Sequence, residues 1–214
     1  MREFDPQDPF PLWPDYGPAL YAMAKKHAAA ADAWLGMDVE TTESRLVDPR
    51  DGEERWIGRH SSIFLTPYVE LREMLERIQP KPGETIADLG AGYGRLGFVM
   101  ARHFPECAFR GYEIVPERVR AGAKALQKFG ARLATLETAD LREIKIPEAQ
   151  IYFIYDFGSR ESVARTLDRL KNAGPIRVVG RGRAVRDAIE RHHPWLGSVH
   201  EPVHGPHYSL YRSF

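Results

Sequence analysis

From residue 66 onward, the apolar positions of the chain switch repeatedly between two periods. Tyr68, Leu71, Leu75 and Ile78 recur at three- and four-residue spacing, which puts them on one face of a helix. Thr66 is read as the N-cap of that helix, Pro67 as its first residue, and Pro80 and Pro82 as its stop. Short strand-like runs then alternate with helical patterns. Strands are expected at 85–89, 108–112, 132–137, 151–155 and 176–179, and helices at 95–104, 116–129, 159–171 and 183–191. Gly130 and Gly174 close two of the helices, and Ser159 is placed to cap one. The alternation predicts a parallel sheet covered by helices on both faces. The end differs: runs at 198–203 and 208–212 are joined only by His204-Gly205-Pro206-His207. A parallel connection needs a crossover of about a dozen residues or more, so these two strands are expected to form an antiparallel hairpin. The fold expected is therefore α/β, a doubly wound, mostly parallel seven-stranded sheet finishing in that hairpin.

Residues 1–65 do not follow this pattern and are read as an N-terminal extension to a domain spanning 66–214. The extension opens as an arm, with five prolines among its first 18 residues and Phe10, Trp13 and Tyr16 between them. Proline fixes φ and removes a donor, so the arm is expected to be extended. Residues 19–35 are alanine-rich and read as a helix stopped by Gly36, and 44–47 with 54–58 flank a turn-like 48–53 as a hairpin. Trp13, Trp34 and Trp56 are three of the four tryptophans, so the extension is expected to pack rather than float. A partial lid over the site is the favoured role, with a dimerisation arm as the competitor.

Composition narrows the class. Hydrophobic residues make up 43% of the 214, enough for a real core. No stretch approaches the ~20 consecutive apolar residues of a membrane span, and the start has no basic region followed by an apolar run. A single cysteine, Cys107, excludes an internal disulfide. These features point to a cytoplasmic protein. Net charge is zero but uneven: residues 1–54 hold 12 acidic against 5 basic side chains. Overall neutrality disfavours nucleic acid as a partner.

The sharpest motif is Asp88-Leu89-Gly90-Ala91-Gly92-Tyr93-Gly94-Arg95, at a strand end and opening a helix. Ligands of such sheets bind outside the carboxyl ends of the strands. A nicotinamide-binding loop needs a third glycine where Arg95 stands, and Asp88 suits a cationic amino-acid moiety rather than a pyrophosphate. Glu113 closes the second expected strand, at the offset of an acid that takes both ribose hydroxyls; Ile114 follows it. The bland alternative, a carboxylate favoured by a helix N-terminus, suits Glu117 better. Asp140 is placed to accept from an exocyclic amine, with Leu141 offering a neighbouring amide. Asp156 and Phe157 follow the fourth strand, where Asp156 can orient or deprotonate a nucleophile and Phe157 can wall the pocket. His200, His204 and His207 flank a turn without an acid cluster, so no metal site is expected. Arg177, Arg181, Arg183 and Arg186 read as a solvated basic run.

Between about residues 60 and 183 the chain resembles the class I, seven-β-strand S-adenosylmethionine-dependent methyltransferases, whose sheet is Rossmann-like. The segments that carry the likeness are Phe64-Leu65-Thr66-Pro67 with Met74-Leu75, the glycine loop through Leu96, Gly111-Tyr112-Glu113, and Asp140-Leu141. They resemble in particular the lysine methyltransferases of the ATP-synthase c-subunit group and, more distantly, the Dot-type histone-lysine enzymes. The chain departs from the first group with Gly158-Ser159 where Pro-Ser is expected. The resemblance implies S-adenosyl-L-methionine as cofactor, held by Thr66, Tyr68, Asp88, Gly90, Ala91, Gly92, Arg95, Glu113, Ile114, Asp140, Leu141 and Asp156. It implies methyl transfer to a protein lysine or another amine. A small-molecule O- or N-methyltransferase using Asp156 as base, and a catalytically silent cofactor-binding module, are the alternatives.

Overall fold

The computed structural model describes residues 3–47, 56–57, 59–155 and 159–214. The extension begins as an irregular arm and a 3-10 turn, Pro18–Leu20, that feed α1 (Tyr21–Trp34). Two short helices follow, α2 (Val39–Ser44) and α3 (Ser61–Phe64). The sheet domain then runs α4 (Tyr68–Ile78), β1 (Thr85–Leu89), α5 (Arg95–His103), β2 (Ala108–Glu113), α6 (Pro116–Phe129), β3 (Ala134–Thr138), β4 (Ile151–Tyr155), α7 (Arg160–Leu170), β5 (Arg177–Arg181), α8 (Arg183–His192), β6 (Val203–His204) and β7 (Tyr208–Arg212).

The seven described strands lie in the order β3-β2-β1-β4-β5-β7-β6, with β7 antiparallel to both β5 and β6. The expected doubly wound sheet and terminal hairpin are both present. β1 and β4 are neighbours at the point where strand order reverses, and this leaves a crevice above their carboxyl ends. Alternation along β1 assigns the two cores. Ile86 packs with Phe109, Phe153 and Val179 beneath α1, α4, α5 and α6, while Ala87 and Leu89 join Tyr152, Ile154 and Val178 beneath α7 and α8. No described helix is long and apolar enough to cross a membrane.

Several elements differ locally from the sequence reading. α4 is capped one residue later than expected: Pro67 is the extended N-cap residue, and its carbonyl accepts from the amides of Glu70 and Leu71 at 3.1 Å each. The expected strand at 44–47 instead begins with the last residue of α2. The Asp38 side chain accepts from Thr41 N at 3.1 Å, and Glu40 stands in the first turn, so a capped helix wins over a strand. Residues 48–53, the expected turn of that hairpin, lie outside the described residues. The strand at 198–203 shrinks to Val203–His204, because a 3-10 turn at Pro194–Leu196 delays the chain's return to the sheet. Ser159 caps α7 as expected, its hydroxyl accepting from Ser162 N at 3.2 Å.

The arm packs firmly. Phe10 is fully buried and stacks on Tyr68 at 4.8 Å, and Trp13 and Tyr16 lie in a small core with Ala24 and Val69.

Candidate functional site

A cleft of about 1150 Å³, open to solvent at its mouth, lies over the carboxyl ends of β1, β2 and β4. The turn after β1 forms its floor. Gly90 and Gly92 adopt φ of 92° and 56°, the left-handed region that side chains resist, so the tight turn needs glycine at both positions. The amides of Gly90 and Ala91 both donate to Tyr112 O at 2.9 Å, and Gly92 N donates to Glu113 Oε2 at 2.9 Å. Three successive N–H groups thus point at β2 and not at a ligand. A pyrophosphate, which needs such amides, is poorly served here.

The same loop presents acid. Asp88, at the end of β1, borders the cleft, and no hydrogen bond or ion pair holds its carboxyl among the described residues. Burial, followed by the nearby charge of Glu113, pushes its pKa up to about 7. Glu113 is itself buried. Desolvation raises its pKa, against the opposing effects of Arg118 and the amides of Val115, Gly92 and Ile114. Its Oε1 accepts from Val115 N at 3.0 Å.

Among the described residues, four arginines border the cleft, and each is met by a carboxylate. Arg95 is ion-paired with Asp32 of α1 and donates to Thr66 O at 3.0 Å. Arg118 of α6 forks onto Glu43 of α2 at 2.8 and 2.9 Å. Arg142 closes on Asp140 at 2.6 Å, and Arg181 of β5 donates to Glu70 of α4 at 2.8 Å. Glu70 also accepts from Tyr16 Oη at 2.7 Å, which ties the arm to the same network. Glu113 shares Arg118 with Glu43, at 3.6 Å from the guanidinium, and Asp88 has no such partner, so the described carboxylates of the site outnumber its arginines and its charge favours a cationic ligand. The apolar lining of the cleft includes Phe153 of β4, Val179 of β5 and Tyr155 at the end of β4, together with Trp56, Phe64 and Leu65. The Arg181 guanidinium lies 4.7 Å over the Tyr155 ring.

Most of the expected cofactor positions come together in this cleft: Thr66, Asp88, Gly90, Ala91, Gly92, Arg95, Glu113, Ile114, Asp140 and Leu141 all border it. Tyr68 does not. It is fully buried two residues beyond Thr66, with its hydroxyl donating to Asp32 at 2.7 Å, so it lies in the layer beneath the site. Asp140 reaches the cleft with its carboxylate already bound by Arg142, so a ligand amine must share or displace that side chain. Asp156 and Phe157 lie outside the described residues. The basic run divides. Arg183 and Arg186 stand on the exposed side of α8, whereas Arg177 and Arg181 are buried, because their strand lies inside the sheet and not at a surface. His204 shares a 2.8 Å hydrogen bond with Ser209, and His207 lies 5.1 Å from the Tyr21 ring. The described residues hold no group of three His, Cys, Asp or Glu side chains placed for a metal. Asp32, Glu43 and Glu70 escaped the sequence reading altogether, because nothing local marks them.

No protein-family model matches the sequence, and no curated protein matches it. Solved structures do match the fold. An RNA methyltransferase from Salinibacter ruber in complex with S-adenosyl-L-homocysteine aligns with a TM-score of 0.56 and 24% identity, over 69% of this chain and 91% of that one. A precorrin-6y C5,15-methyltransferase from Geobacter metallireducens aligns at 0.53 and 19%, over 70% and 88%. A SAM-dependent methyltransferase from Aquifex aeolicus aligns at 0.51 and 16%, over 80% and 96%. The seven-stranded sheet is thus the class I methyltransferase fold.

Proposed function

We propose that the chain is an S-adenosyl-L-methionine-dependent methyltransferase that transfers the methyl group to nitrogen, in a protein lysine or another amine. The observation that carries the cofactor reading is the pair of acids Asp88 and Glu113, which put carboxylates in excess of arginines, beside a glycine turn whose amides face inward. A sulfonium amino acid brings positive charge to a site with an excess of carboxylates, and its ribose brings hydroxyls that donate to one. Asp88 faces the ammonium of the methionine end. The sulfonium already activates the methyl, so the chain's task is to position and desolvate the reactants. The apolar lining of the cleft suits that task. A lysine nucleophile must be neutral, and burial there lowers its pKa. Among the described residues, each cleft arginine is neutralised by a carboxylate, which favours an amine acceptor over a phosphate-bearing one. Trp56, Phe64, Leu65 and Thr66 border the cleft, so the lid role falls to the segment just before α4 rather than to the arm.

The test is to incubate the enzyme with cell lysate and radiolabelled S-adenosylmethionine. Label in protein bands supports the lysine reading, label in small molecules moves the acceptor to that class, and label in RNA overturns the amine reading. Calorimetry should show S-adenosylhomocysteine binding far more tightly than NAD. Glu113→Ala is expected to weaken that binding by about 1.5–3 kcal/mol, the range for hydrogen bonds to a charged group, and unchanged affinity would remove the ribose role.

The pH dependence follows from Asp88. Its pKa near 7 in the free protein is raised above 3.8, and an ammonium beside the carboxylate draws it back down. Between the free and bound values, binding releases a proton. Affinity is then flat above pH 7 and falls by up to about tenfold per unit below it. Calorimetry at pH 6 in buffers of different ionisation enthalpy should detect the released proton, and Asp88→Asn should abolish it. Proton release that persists in the variant assigns the effect to another group.

A further inference from the structure

Glu43 sits in the last turn of α2, far along the chain from the glycine loop, yet it grips that loop and its neighbour together. Its Oε1 accepts from Tyr93 Oη at 2.8 Å and from Arg118 Nε at 2.8 Å, and its Oε2 accepts from Arg118 Nη2 at 2.9 Å. The Arg118 guanidinium is further fixed by the Phe64 ring, 4.6 Å from its centre. Held this way, Arg118 brings Nη1 to 3.6 Å from Glu113 Oε1, an ion-pair distance longer than a hydrogen bond. Glu113 meanwhile takes Gly92 N on one oxygen and Val115 N on the other, which leaves acceptor capacity toward the cleft.

An arginine near a carboxylate ordinarily closes a two-pronged fork on it. Here that fork goes to Glu43. The geometry points to Glu43 as a positioning residue for the cofactor's ribose: it holds Arg118 short of Glu113, so that Glu113 accepts from the ligand hydroxyls and not from the guanidinium. The inference rests on the cofactor reading above and deepens it, because it makes an N-terminal carboxylate part of how the site recognises a ribose. Without Glu43, Arg118 swings the short distance to Glu113 and occupies the positions the hydroxyls need.

The readout is selectivity for the hydroxyls, which mere loss of stability does not change. Binding of S-adenosylhomocysteine is compared with that of its 2′,3′-dideoxy analogue, as the ratio of the two dissociation constants. In the unaltered protein the ratio is expected to be on the order of 100, from hydrogen bonds to a charged acceptor. In Glu43→Gln it is expected to fall below about 10, with analogue affinity nearly unchanged. Tyr93→Phe removes the other bond to Glu43 and leaves the Arg118 fork, so it should keep the ratio of the unaltered protein. Glu43→Asp, one methylene shorter and so drawn back from the guanidinium edge, is the second variant and should also lower the ratio. An unchanged ratio in whichever Glu43 variant folds overturns the proposal, and so does unfolding of both, which makes Glu43 purely structural. Failure of the unaltered protein to bind S-adenosylhomocysteine at all overturns the cofactor reading instead, and the proposal falls with it.

Discussion

Asp32→Ala is expected to destabilise the protein by about 3–5 kcal/mol, the cost of stranding one partner of a buried ion pair. Asp32 is almost completely buried in α1, where it accepts from Arg95 Nε at 3.2 Å and from Tyr68 Oη at 2.7 Å. Its loss leaves a buried guanidinium with the Thr66 carbonyl and leaves the hydroxyl of a fully buried tyrosine without an acceptor. Urea unfolding reads the effect as a lower midpoint at unchanged slope. Adding Arg95→Met should recover part of the loss, because it removes the uncompensated charge. A single variant within about 1 kcal/mol of the parent, the range of exposed ion pairs, would show that the pair is solvated in solution.

Phe10→Ala is expected to cost a similar 3–5 kcal/mol or so, the usual price of emptying an aromatic from a core. Phe10 has no exposed surface, stacks on Tyr68, and lies 6.0 Å from Phe129 at the end of α6. Truncating residues 1–18 removes Phe10, Trp13 and Tyr16 at once, and the total approaches the whole stability of a domain, about 5–15 kcal/mol. The truncated chain should therefore lack a cooperative thermal transition. A truncated chain that melts near the parent temperature would show that the arm is dispensable. The outcome also bears on the lid and dimerisation readings: because the arm is core, deleting it tests neither cleanly. Trp56 and the segment from Phe64 to Thr66 border the cleft, and substitution there leaves the arm in place, so the proposed lid role is tested at those positions.

The sheet was legible because its signals are local. The switch between two-residue and 3.6-residue periods sets β1, β4, α6 and β7 at their observed bounds, and the short link before Tyr208 forces the antiparallel end. The glycine turn, Asp88 and Glu113 were legible for the same reason, since each stands at a strand end whose position the period reveals. What escaped reading depends on distant partners. Arg181 looks like a neighbour of Arg183 in sequence, but it ends an interior strand, and its carboxylate lies 111 residues upstream. Tyr68 is close to Thr66 in the chain, but the helix turns it away from the cleft and onto Asp32. The strand expected at 44–47 failed because capping by Asp38 is worth more than the β propensity of a short run.

The carboxylate–arginine pairs carry a consequence for the order in which the chain assembles. In the pairs Asp32–Arg95, Glu43–Arg118 and Glu70–Arg181, the acid is synthesised first and its arginine 63, 75 or 111 residues later. The spans overlap, since Glu43 and Glu70 both precede Arg95, so each closure begins before the previous one is complete. Burying an acid before its counter-charge arrives costs free energy or requires it to take up a proton. A nascent chain that has passed Asp32, Glu43 and Glu70 is therefore expected to dock those elements stably only as α5, α6 and β5 emerge in turn. Such long-range closures slow the search for the native state, and they make the last strand to supply a guanidinium, β5, the step that commits the N-terminal half to its seat.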